Sequence, residues 1–336
     1  MEDRKKDHID LAFSSRIDAS QVDNRFEYEP MLGTHQPTLQ NIPFAGKSLK
    51  LPLWVSSMTG GTQRAATINR NLAKACAEFG MGMGLGSCRI LLENPQHLDD
   101  FYVRPILGDD LPLFANMGIC QLEQMLQEKS TDQLSELVEK LEADGLVIHV
   151  NPLQEAFQPE GDRLLKPALE LLQEYMELTS LKIIVKEVGQ GFGINSLREL
   201  LKLPLEAIEY GALGGTNFSL VELNRSNAIA AEVFRPFINV GHTAEEMTQT
   251  INQLSDELND SDIKTKQLII SGGISSLLDG YYLTSISKLP AIYGMGSAFL
   301  RHGMGAYEKL HDYVAQVAYG LNLAQNFLKV KHQINE

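Results

Sequence analysis

The stretch LVIHVNPLQEAF (146–157) begins as an apolar run and ends in polar and loop-forming residues. Successive side chains of a strand alternate between its two faces, so His149 and Asn151 point the same way. Pro152 offers no N–H to a ladder and ends the strand, and Gln154 and Glu155 follow on the loop. A buried strand that turns polar at its end fits a parallel α/β protein, where ligands gather at the carboxyl ends of the strands. The fold then depends on whether other segments repeat this form.

They do. Short apolar segments with strand character lie at 51–57, 83–86, 111–116, 145–150, 182–188, 207–210, 267–271 and 291–294. Helical patterns separate them, among them 64–79, 122–142, 164–178, 243–258 and 275–287. Strands that alternate with helices in this way predict an α/β fold, a single (β/α)8 TIM barrel spanning 1–336. Residues 1–45 read as a polar N-terminal arm that contributes to the active site, and 303–336 as a closing helix and tail. An open doubly wound sheet is the competing arrangement, weakened by the lack of any Gly-x-Gly-x-x-Gly segment. No internal repeat or low-complexity tract interrupts the pattern.

The bulk properties narrow the function. A formal net charge of -14 argues against nucleic acid or an anionic membrane as partner, since both want a basic face. A small anion stays possible, because a few local cations or backbone N–H groups suffice to hold it. Cys76, Cys88 and Cys120 are widely spaced and form no Cys-x-x-Cys pair, which suits a reducing cytosol. The start MEDRKKDHIDLAF lacks the apolar core of a signal peptide, and no run reaches the length of a membrane span. The expectation is a soluble, cytoplasmic protein.

Glycines cluster after six of the eight strands: SMTGG (57–61), GLGSCR (84–89), EVGQGFG (187–193), GALGGTNF (211–218), SGGI (271–274) and GMGSAF (294–299). Each alone reads as a tight turn. Together they line one rim, and the last two sit where barrels hold a phosphate, beside a helix N-terminus expected at Ser275. That phosphate belongs to a substrate or to a cofactor such as FMN. Lys186 lies inside the apolar strand IIVKEV, where an ammonium needs a partner. It reads as an ion pair with Glu187 or another barrel carboxylate, as a Schiff-base lysine, or as a charge beside an electron-rich ring. His149 is a core histidine or, with Asn151, Gln154 and Glu155 beside it, part of a site. Glu155, the one carboxylate there, is a solvated loop residue or a ligand for a hard cation such as Mg²⁺. RKKDHI, near the start, is a solvated basic patch or an anion clamp over the barrel mouth.

The segments RKKDHI, SSMTGG, GLGSCR, VIHVNPLQE, VKEVGQGFG, GGTNF, SGGI and GMGSAFL resemble, in order and spacing, those of type 2 isopentenyl-diphosphate δ-isomerases. The most specific element is His-x-Asn-x-x-Gln-Glu. The resemblance implies an FMN-dependent TIM barrel that interconverts isopentenyl and dimethylallyl diphosphate, with Mg²⁺ and NADPH as reductant, and it carries the expectation of a homo-oligomer. By analogy Gln154 is the candidate proton carrier, and His149, Asn151 and Gln154 bind substrate together with Arg4, Lys5, His8 and Arg89. Glu155 holds Mg²⁺ on the diphosphate. Thr59, Gly60, Gly61, Ser87, Asn116, Lys186 and Thr216 fall on FMN-binding positions, and Gly272, Gly273, Gly296 and Ser297 on the FMN phosphate.

Some positions depart from the pattern. Ser275 stands where the family usually has Arg, Phe218 where it often has Trp, and HTAEE (242–246) where Ile-Pro-Thr is usual. The alternative function is an FMN-dependent oxidoreductase of the 2-hydroxy-acid oxidase type. It would need a histidine base near strands seven and eight, and no His occurs between 243 and 301.

Overall fold

The computed structural model describes residues 2–37, 39–57 and 61–331. Eight parallel strands close a barrel in sequence order: β1 Leu53–Val55, β2 Gly82–Gly84, β3 Leu113–Gly118, β4 Gly145–Val150, β5 Lys182–Glu187, β6 Ala207–Glu209, β7 Gln267–Ser271 and β8 Ala291–Met295. β8 returns to β1, so the sheet has no edge and the open arrangement is ruled out. The expected TIM barrel is the fold.

Strand register decides which side chains fill the barrel. Gly82 pairs with Trp54, Gly118 with His149, His149 with Lys186, and Lys186 with Glu209. Residues in register share a face, so each of these points inward with its partner. The lower interior is apolar, built from Trp54, Phe114, Val147, Ile184 and Ile269, all fully buried. One step up on the same faces the interior turns polar, with Ser56, Asn116, His149, Lys186, Glu209 and Ser271. This gradient gives the barrel an apolar base and a polar top.

β2 carries a weak strand signal for a packing reason. A Cβ at Gly82 would lie 2.6 Å from the Trp54 ring, so the indole occupies the space a side chain would need. Helices wrap the outside. Gln63–Phe79 starts on Thr62, whose hydroxyl accepts from Ala65 N, and stops at Gly80 in the left-handed region. The single helix expected over 122–142 is two, Ile119–Glu128 and Asp132–Lys140, broken at left-handed Lys129. The helix expected over 164–178 begins only at Ala168, directly after Pro167.

The arm is less uniform than its composition suggests. Its end does not stop at residue 45, because Ile42–Phe44 and Lys47–Leu49 form a hairpin across that boundary. The hairpin plugs the amino end of the barrel: Phe44 packs 5.3 Å from Trp54, and Lys182 Nζ donates to Ala45 O at 2.6 Å. The closing helix Tyr307–Phe327 runs into a short strand, Leu328–Val330, antiparallel to Phe26–Tyr28 of the arm. The expected tail is therefore part of a small sheet. No helix among the described residues is long and apolar enough to cross a membrane.

Candidate active site

Two adjoining cavities, of about 240 Å³ and 120 Å³, open where the strands end, and both are lined by Ser57, Lys186, Val188 and Phe218. The larger is a glycine cradle containing Gly214, Gly215, Gly272, Gly273 and Gly296, with Thr216 and Ser297. Gly272 and Gly273 have φ of +88° and +72°, and a Cβ at Gly272 would meet Ala212 O at 2.2 Å. Only glycine lets the backbone pass there. Ser56 and Ser57 each present a buried hydroxyl without a hydrogen-bond partner among the described residues. Such a cradle fits a phosphate-bearing ring cofactor, which contacts backbone and hydroxyl groups.

One expected donor set is already used. The helix after β7, Leu277–Ile286, is capped by its own Asp279, which accepts from Ser275 N, Ser275 Oγ and Ser276 N at 2.6–2.9 Å. Arg25 adds a fourth bond to Asp279 at 2.8 Å. Burial alone would raise the Asp279 pKa, but the bonds from Ser275 and Arg25 outweigh it and hold the carboxyl at about 2. The helix start expected to serve a phosphate is thus closed by a fixed anion. Ser275, where Arg is usual, supplies part of that closure.

The smaller cavity holds the residues of the opening stretch. His149 sits in β4 beside Lys186 of β5, and its Nδ1–H donates to Asn116 Oδ1 at 2.7 Å. Asn116 Nδ2 is fixed on Leu85 O at 3.0 Å. Burial first, and the Lys186 charge second, lower the His149 pKa to about 4. At neutral pH the ring is uncharged, with Nε2 as an acceptor. Asn151 is 2% exposed and uses both amide hydrogens, one on Gln154 Oε1 and one on Glu155 Oε1, each at 3.0 Å. It orients the two residues after it.

Glu155 is buried rather than solvated, and its second oxygen accepts from Asp162 N at 2.9 Å. Arg89 pairs with the Asp162 side chain at 2.9 Å, so it stands one residue away from Glu155. No group of three or more His, Cys, Asp or Glu converges on a metal position among the described residues. Glu155 can therefore give a hard cation one protein oxygen, leaving the rest to substrate phosphates and water.

Lys186 forms no ion pair among the described residues. Its ammonium donates to the backbone oxygen of Glu187 at 2.7 Å, while the Glu187 carboxylate takes the N–H groups of Gly189, Gln190 and Gly191. The ion pair with Glu187 considered from sequence is not made, because that carboxylate braces the following loop instead. Ser87 lines the smaller cavity. Gly61 lines neither, and packs against Ile90. Arg4, Lys5 and His8 stand exposed on the helix Glu2–Leu11, with no hydrogen bond or ion pair to the barrel among the described residues. Thr59 and Gly60 lie outside the described residues.

Comparison with known proteins decides the family. The isopentenyl-diphosphate delta-isomerase of Rickettsia felis is 34% identical over 306 residues, covering 89% of this chain and 84% of that protein. The enzyme of the same name from Rickettsia rickettsii matches at 34% over 306 residues, and that from Rickettsia typhi at 32% over 305. The chain belongs to the isopentenyl-diphosphate delta-isomerase family. No protein-family profile matches it.

Solved structures similar to this isomerase family member share its fold. The flavin-binding domain of baker's yeast flavocytochrome b2 superposes with a TM-score of 0.60 at 13% identity, over 90% of this chain and 72% of that one. A mandelate oxidase carrying an FMN adduct gives 0.54 at 12%, over 91% and 88%. Within the isomerase site, one residue escaped the sequence reading. Glu222, 5% exposed on the helix Phe218–Arg225, accepts from Gln154 Nε2 at 3.4 Å and from Arg225 at 2.5 Å. The signal was present: Ser219, Glu222 and Leu223 fall at i, i+3 and i+4, which puts the carboxylate on the buried face.

Proposed function

We propose that the protein interconverts isopentenyl diphosphate and dimethylallyl diphosphate in the FMN-dependent, type 2 manner. The observation that carries this reading is the junction of the two cavities, where Lys186 lies between the glycine cradle and the His149–Gln154 cluster. FMN fits the cradle through Ser57, Ser87, Asn116, Lys186 and Thr216, with its phosphate against the Gly272–Gly273 and Gly296–Ser297 backbone. Thr59, Gly60 and Gly61 complete that set by resemblance. When bound and reduced, FMN supplies a proton carrier at N5 and an electron-rich ring face for a developing positive charge.

The chain's own residues do the rest. Moving the double bond adds a proton at one carbon and removes one from another. Gln154 is aimed by Asn151 and rests its amide on Glu222, so a weak base has a carboxylate behind it that can take up charge. Neutral His149 presents Nε2 to the substrate side. Its low pKa keeps a second full charge away from the carbon that becomes cationic. Val188 and Phe218 give the shared wall an apolar surface suited to the isoprenoid chain. Glu155 holds Mg²⁺ on the diphosphate, and Arg89, Arg4, Lys5 and His8 supply positive charge to it. The Lys186 ammonium favours the anionic reduced flavin.

This reading includes NADPH as reductant and a homo-oligomer in the cytoplasm. The test is direct. Protein is purified, denatured and its supernatant analysed by mass spectrometry for FMN, and isomerase activity is measured with Mg²⁺ before and after reduction. FMN at one per chain and activity only after reduction are expected. FAD, no flavin after reconstitution, or full activity without reduction would refute the reading.

A further inference from the structure

Glu209 is the one ionisable side chain of the polar interior layer that the mechanism above leaves unused. It is fully buried in β6, in register with Lys186, and does not line either cavity. Neither carboxyl oxygen has a hydrogen-bond partner among the described residues, and no ion pair joins it to Lys186. Around it stand other unpartnered polar atoms: Trp54 Nε1 and Ser56 Oγ of the β1 segment are both buried and unbonded. Ser271 of β7 accepts from Gly211 N at 3.0 Å. Lys186 is the one charged group among these neighbours, and His149 lies one strand further along the same register. An ionised carboxylate in such a place is costly unless the donors beside it, the hydroxyls of Ser56 and Ser271 and Trp54 Nε1, close onto it. Burial accordingly raises the Glu209 pKa, and the Lys186 charge, with Ser56, Ser271 and Trp54 beside the carboxyl, only partly opposes this.

The position matters because Lys186 is shared. Its charge either serves the cleft above or is neutralised by a carboxylate below. We propose that Glu209 is a positioning residue that acts through Lys186, binding a proton when negative charge enters the cleft and releasing it when that charge leaves. The inference rests on the cleft holding FMN. With dithionite as the electron source, two electrons and one proton go to the flavin ring and a further proton goes to Glu209. Protonated Glu209 frees the full charge of Lys186 for the reduced ring. Ionised Glu209 cancels part of that charge while the ring is oxidised. Charge in the buried layer is then kept nearly constant through the redox change.

The test is the pH dependence of the midpoint potential of the FMN-loaded protein, for wild type and Glu209→Gln, with FMN content measured first. One extra proton per two electrons steepens the wild-type line by up to about 30 mV per pH unit, the value of a tenfold change for a two-electron couple. Glu209→Gln should lose that extra slope, and His149→Asn should keep it, which separates the two titratable neighbours of Lys186. If Glu209→Gln does not fold, reduced-minus-oxidised infrared spectra of wild type decide instead. A protonated carboxyl carbonyl band that appears on reduction and shifts in heavy water supports the proposal, and its absence overturns it. Parallel wild-type and Glu209→Gln lines with FMN bound overturn this proposal alone. A protein that binds no FMN overturns the reading of the cleft as well.

Discussion

Glu155→Gln separates a metal ligand from a loop brace, because the structure shows Glu155 bracing its loop and the proposed function adds a metal to its work. Its two oxygens accept from Asn151 Nδ2 and from Asp162 N, at 3.0 and 2.9 Å. Glutamine has one oxygen, so in either orientation its amide N–H₂ faces one of those donors. An unsatisfied buried donor costs about 1–3 kcal/mol. At about 2 cal/mol/K of unfolding entropy per residue, that cost lowers the Tm of this 336-residue chain by about 1–4 °C. The metal effect is separate. Loss of the one protein carboxylate on Mg²⁺ should raise the Mg²⁺ concentration for half-maximal activity by at least about tenfold, on the scale known for supporting groups at metal sites. The assay is isomerase activity of the reduced enzyme across a Mg²⁺ titration, beside thermal unfolding in its absence. Recovery of part of the rate at high Mg²⁺ is expected. A variant with lowered Tm, reduced rate and an unchanged Mg²⁺ curve would refute the ligand role and leave Glu155 as a brace.

Further outcomes follow from the same geometry. Gln154→Ala should lower turnover about 100-fold while KM and the Mg²⁺ requirement stay near wild type, as steady-state kinetics would show. Near-wild-type turnover would place the proton work on the flavin alone. Lys186→Met should make bound FMN harder to reduce by at least about 30 mV in potentiometric titration, with the fold kept. Trapping of a carbonyl substrate on wild type by borohydride would instead reveal a Schiff base. His149 has a folded pKa of about 4 against 6.5 in the unfolded chain, so its contribution is full above 6.5 and is lost as pH falls toward 4. That loss is about 3 kcal/mol at most, and His149→Asn should flatten the urea-unfolding stability curve over this window. For Asp279, depressed from 3.8 to about 2, stability is present above 3.8 and fades below it. Asp279→Asn should cost about 1 kcal/mol after allowance for partial exposure, seen as a lower urea midpoint at pH 7.

The barrel was legible because its strands are buried on both faces and read as apolar runs. β4 was read at its full length for that reason. β2 was faint because its inward side chains are replaced by a neighbour's indole, a contact between segments that no local pattern records. The hairpin at 42–49 was read as arm because its partners, Trp54 and Lys182, are distant in sequence. In the site, residues adjacent in sequence were found readily: His149, Asn151, Gln154 and Glu155 share one strand end and its loop. Glu222 was missed because it reaches Gln154 across 68 residues. The closed helix start at Ser275 was misjudged for a similar reason. Its occupant, Asp279, lies in the helix itself, but Arg25, which fixes that carboxylate, comes from the arm.

The fold likeness to hydroxy-acid oxidases and the sequence likeness to isomerases are consistent once the barrel is divided by depth. The apolar base and the glycine cradle are what a flavin barrel needs whatever its reaction, and similarity at 12–13% identity reaches no further than that. An oxidase must remove a proton from a hydroxy acid and pass a hydride, which calls for a histidine base near the last strands; the chain has none between 243 and 301. Its histidine lies instead in β4, where burial and Lys186 hold it neutral. The polar groups that follow it are a carboxamide and two carboxylates, Gln154, Glu155 and Glu222, linked through Asn151 and Gln154. The cations near that set are already placed, Arg225 on Glu222 and Lys186 at the junction of the two cavities. Under the proposed function that set offers proton-carrying groups beside an apolar wall and one carboxylate for a metal on the diphosphate, which are the requirements for moving a double bond in a diphosphate.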